Sequence, residues 1–136
     1  MFPVSTLTPD YSQLDPGIRV LVRTINGFGL PTYYSCEGHG ADRDFIQSPY
    51  PFVVVTPRPD QEGAWCWLRF MGMLGIYNSW RTGRDEIRWV VIPTGNPSIA
   101  FSLRPIDISY PLADMQNGVV LLANSLDTMQ KWYEVK

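Results

Sequence analysis

Residues 86–106 read EIRWVVIPTGNPSIAFSLRPI, two runs rich in β-branched and aromatic residues on either side of Thr94-Gly95-Asn96-Pro97. Such side chains suit a pleated, half-buried surface, and a Gly-Asn-Pro cluster between two of these runs predicts a hairpin. Neighbouring strands joined this way are antiparallel, which points away from a parallel sheet with crossover helices. Working upstream, residues 52–57, FVVVTP, form a short continuous apolar run, the pattern of a strand covered on both faces. Residues 32–36, TYYSC, suit another strand, ending at a Glu37-Gly38 turn.

Three helices are expected around these strands. In LDPGIRVLVRTINGFG, residues 14–29, Asp15 is placed to cap and Pro16 suits the first helical position. Ile18, Leu21, Val22 and Ile25 recur on one face, and Gly27 or Gly29 stops the helix. Residues 41–51, ADRDFIQSPYP, read as a loop. Asp60 is placed to cap a second helix over 61–80, with Ala64, Trp67, Leu68, Met71 and Leu74 on a shared face. Its other side is also apolar, which predicts a helix buried on most sides or meeting another subunit. The last helix starts near Pro111 or Leu112 and aligns Met115, Val119, Leu122, Leu126 and Met129, with Gly118 a weak point. The expected fold is therefore α+β: two helix-strand-strand units plus a C-terminal helix, a mainly antiparallel sheet covered by helices.

The 136 residues fit one domain, 1–136, with residues 1–12 as an extended arm. With 45% hydrophobic and 18% charged residues, a packed core is favoured over disorder. Eleven basic against thirteen acidic side chains, net −2, argue against duplex nucleic acid as a partner, since that needs a basic surface to displace counterions. Arg81, Arg84, Arg88 and Arg69 are a local basic cluster or a solvated turn. The N-terminal residues lack the basic start and apolar run of a secretory signal, and 64–80, AWCWLRFMGMLGIYNSW, is interrupted and short for a membrane span. A cytoplasmic protein without a membrane partner is expected. Cys36 and Cys66 are then reduced thiols, although sequence leaves a Cys36–Cys66 pairing open.

Residues 32–40, TYYSCEGHG, hold the only histidine, one of two cysteines, a carboxylate and two glycines. Several chemistries suit them. Cys36 and His39 can form a nucleophile and base if the turn folds back. Cys36, His39 and Cys66, with Glu37 or Asp42, offer metal donors, but structural zinc wants two close pairs and only one is present. As a ligand-binding edge, Gly38 and Gly40 permit close backbone approach, N–H groups beside Ser35 and His39 receive an oxygen, and Tyr33, Tyr34 or a tryptophan offers a stacking plane. In a purely structural role Cys36 is a buried small hydrophobe, Glu37-Gly38 a turn and His39 exposed.

The stretch GIRVLVRTINGFGLPTYYSCEGHG, a helix followed by Thr-x-x-Ser-Cys-x-Gly-His, resembles a pattern in small uncharacterised phage and bacterial proteins. It is also distantly similar to the first helix and Thr-Ser-Ser-Cys-Ser-Gly-Arg turn of the wybutosine-synthesis methyltransferase family, which modifies transfer RNA. Ser35, Cys36 and Gly38 match that turn, and His39 stands where the family has arginine. The phage resemblance implies an accessory protein that sequesters a host defence signal or blocks a defence enzyme.

The reading that joins these features is a non-catalytic binding protein for a small nucleotide-like ligand. Tyr34, Ser35, Cys36, Glu37, Gly38 and His39 are its expected site, with Arg43 or Arg104 meeting an anionic group. No cofactor, no bound metal and a homo-oligomer are expected. The alternatives are a small Cys/His or metal-dependent enzyme, RNA or nucleotide modification included, and a protein-binding adaptor.

Overall fold

The computed structural model describes residues 14–38, 49–83, 86–94 and 100–134. The elements run α1 (Arg19–Gly27), β1 (Thr32–Cys36), β2 (Phe52–Val55), α2 (Gln61–Ser79), β3 (Trp89–Pro93), β4 (Phe101–Pro105) and α3 (Leu112–Glu134). The expected hairpin forms: β3 and β4 pair antiparallel, with Trp89 opposite Pro105, Val91 opposite Leu103 and Pro93 opposite Phe101. Its turn, residues 95–99, lies outside the described residues. β2 pairs with β4, and β1 with β2, giving the order β1-β2-β4-β3 with every pairing antiparallel.

Alternation along the strands separates two sheet faces. Val53, Val55, Trp89 and Leu103 enter one buried cluster with residues of all three helices. The helices therefore lie on that face, completing the α+β fold expected from the sequence. The opposite face carries Tyr34 across from Val54, Val54 across from Ser102 and Ser102 across from Ile92. The apolar run of β2 reflects this geometry, because Val53, Val54 and Val55 are all buried in an inner strand.

α3 buries Met115, Val119, Leu122, Leu126 and Met129, the stripe that its spacing predicts. α1 buries Leu21, Val22 and Ile25, but begins at Arg19 and has no side-chain cap. Asp15 lies too far upstream to cap it; its carboxylate instead accepts the Glu37 N–H, 3.2 Å away. At α2 the Asp60 cap forms, accepting the Gly63 N–H at 2.7 Å. The buried face of α2 differs from the expected one: it is Gly63, Cys66, Phe70, Met73, Leu74 and Tyr77, with Ala64, Leu68 and Met71 exposed. With apolar residues all round, periodicity alone did not orient this helix. Complementary partners did, since Phe70 meets Phe28 edge-on at 5.5 Å and Trp67 stacks on Phe101 at 4.7 Å.

Cys36 and Cys66 are both buried free thiols, so the disulfide that sequence left open is not formed. Among the described residues no helix is long and apolar enough to cross a membrane. Of the basic residues, Arg81 pairs with Glu86 at 3.1 Å and Arg88 donates to the Arg81 carbonyl at 2.9 Å, whereas Arg69 lies beside Tyr133. Arg84 lies outside the described residues.

Candidate functional site

β1 ends in a turn held from two sides. The Gly17 N–H donates to Glu37 Oε1 at 2.6 Å, while the Glu37 N–H donates to Asp15, so the start of α1 and the turn exchange hydrogen bonds in both directions. From α3, Gln116 Nε2 donates to the carbonyls of both Glu37 and Gly38 at 3.2 Å. The Cys36 thiol is only 6% exposed, and its sulfur accepts the Gly38 N–H at 3.4 Å. Gly38 has φ +89°, a left-handed conformation that favours glycine, and a Cβ there would meet Leu112, Tyr50 and Pro51. Glu37 Oε1 and the Glu37 and Gly38 backbone thus help to fix the strand end.

The turn adjoins the sheet face turned away from the helices, and several expected residues meet there. A register irregularity between Thr32 and Tyr34 breaks the alternation of β1, leaving Tyr33 and Tyr34 both exposed, Tyr34 by 56%. Tyr34 leans on Phe52 at 5.5 Å, and Phe52 on Tyr50 at 6.3 Å. Cys36 sits across from Phe52, and Arg104 across from Val90 on the same face. The Arg104 guanidinium lies 5.8 Å from the centre of the Tyr50 ring and donates to the Pro105 carbonyl at 2.9 Å. Two tyrosines, a phenylalanine and a cation therefore share one surface beside a fixed turn.

The sheet brings Tyr34, Cys36 and Arg104 to one face. Ser35, across from Val53, points to the helix side and does not join them. His39 and Arg43 lie outside the described residues, as does Asp42. Among the described residues no three His, Cys, Asp or Glu side chains gather closely enough to hold a metal ion. Tyr50 and Phe52 were missed by sequence reasoning. Their signal was the parity of β2, since the burial of Val53 and Val55 in the core turns Phe52 to the other side.

A separate polar network closes one end of the helical layer, around a cavity of about 470 Å³ lined by Tyr77, Arg81, Glu86 and Asp114. Burial pushes the Tyr77 hydroxyl above its ordinary value, opposed by the Arg81 guanidinium 4.5 Å from its ring centre. The Gly83 N–H, 2.9 Å from Glu86, and then Arg81 hold that carboxyl below its ordinary range.

Compared with protein-family models, curated proteins and solved structures, the chain matches none of them. The reading of the site accordingly rests on its own geometry.

Proposed function

We propose that this protein binds a small nucleotide-like ligand without turning it over, on the sheet face opposite α1, α2 and α3, beside the Cys36-Glu37-Gly38 turn. What supports the reading most is the placement of Arg104 over Tyr50, in line with Phe52 and the exposed Tyr34. A planar base stacks on Tyr34, and Arg104 meets the anionic group. The buried, hydrogen-bonded Cys36 thiol favours binding over nucleophilic attack. A cytoplasmic protein that holds such a ligand acts by sequestering it, the role the phage resemblance implies.

Mass spectrometry of small molecules released by heating the purified protein, followed by calorimetry with nucleoside monophosphates and cyclic dinucleotides, tests the reading. Tyr34→Ala and Arg104→Gln should each weaken the bound species about tenfold or more, in line with one lost stack or one charged hydrogen bond. Cys36→Ser should retain most of the affinity. Failure to retain or bind any ring-bearing anion, or turnover that disappears in Cys36→Ser, overturns it.

A further inference from the structure

On the helical side of the molecule, away from Tyr34 and Arg104, α2 and the C-terminal end of α3 enclose a groove of about 520 Å³, within the usual range of small-molecule sites. Its walls are Trp65, Leu68 and Tyr133, with Trp65 66% and Leu68 62% exposed. Among this apolar surface stands one cation, Arg69. Its guanidinium lies 5.2 Å from the centre of the Tyr133 ring, and its Nε is buried with no hydrogen-bond partner. Among the described residues no carboxylate pairs with it. The other charged residue lining the groove, Glu62, is bound to Arg58 at 2.8 Å.

At its Nε this guanidinium gives up hydration that only the neighbouring ring face partly replaces, and no anion lies against it among the described residues. The arrangement is complementary to a molecule with one negative charge and an apolar body. A doubly charged phosphate would leave one charge uncompensated, whereas a carboxylate matches the planar guanidinium fork.

We propose that this groove is a second binding site, for a small apolar monocarboxylate whose carboxylate pairs with Arg69 and whose body lies against Trp65, Leu68 and Tyr133. The proposal is independent of the sheet-face reading. Calorimetry with octanoate and 3-phenylpropionate, each beside its uncharged alcohol, tests it on the full chain and separates an alkyl from an aryl body. At least one acid should bind the wild type below about 1 mM, and more tightly than its alcohol. Arg69→Gln should weaken the acid about tenfold or more while leaving the alcohol unchanged, and Arg69→Lys should fall between. Thermal melting of each variant separates misfolding from lost recognition, and Trp65→Ala, which alters an exposed side chain, should weaken acid and alcohol together. The proposal is overturned if neither acid binds, if acid and alcohol bind equally, or if Arg69→Gln leaves the acid unaffected. It also falls if light scattering gives an assembly that Leu68→Asp dissociates and that binds no acid, since the groove is then covered by a second copy.

Discussion

A methyl group on Gly38 would lie 2.7 Å from Leu112 Cδ1 and 3.0 Å from the Tyr50 carbonyl carbon, on a backbone already at φ +89°. Gly38→Ala is therefore expected to lower stability by about 1–3 kcal/mol, read from the denaturant midpoint with an unchanged slope. A midpoint equal to that of the wild type would show that the turn relaxes freely. The need for glycine here was legible in the sequence, because a strand ending in Glu-Gly announces a turn. The task of Glu37 was not, since its partner Gly17 lies 20 residues earlier and no local rule connects them. The sequence marked the loop as special by its rare residue types. It did not show that the Glu37 carboxylate reaches back to Gly17, or that Tyr34 and Arg104, 70 positions apart in the numbering, share one sheet face.

Among the elements, carboxylate hydrogen bonds hold residues just before β3 and just after β4. Glu86 accepts from Gly83 and Arg81, and Asp107, after β4, accepts from Ser109; both carboxyls are held below their ordinary values. A carboxylate with a lowered folded value stabilises the fold above its ordinary value, 4.5 for Glu86, and loses that contribution as pH falls through the folded value. Melting temperature should thus drop as pH is lowered from about 5 to about 3, and Glu86→Gln should make the drop shallower. An equally steep drop in that variant would assign the acid sensitivity to other groups. Helix existence was well marked in the sequence, whereas the orientation of α2 was not. Its buried face was chosen by Phe28, Phe101 and the Gly29 backbone against Cys66, contacts that periodicity does not see.

For the whole molecule, the consequence of stacking three helices on one side is a core that depends on few sheet residues. Leu103 in β4 is fully buried and pairs with both Val53 and Val91, so Leu103→Ala should cost about 2–5 kcal/mol by cavity formation. A loss under about 1 kcal/mol would mean that the helical layer collapses onto the gap. α3 spans this layer as one uninterrupted helix of 23 residues, about 35 Å long. Its first turns hold the β1 turn through Gln116, and its last turn supplies Tyr133 to the cleft beside Arg69. A rod has a single tilt. The seat of the β1 turn and the width of the cleft at Arg69 are therefore both set by how this one helix lies on the sheet.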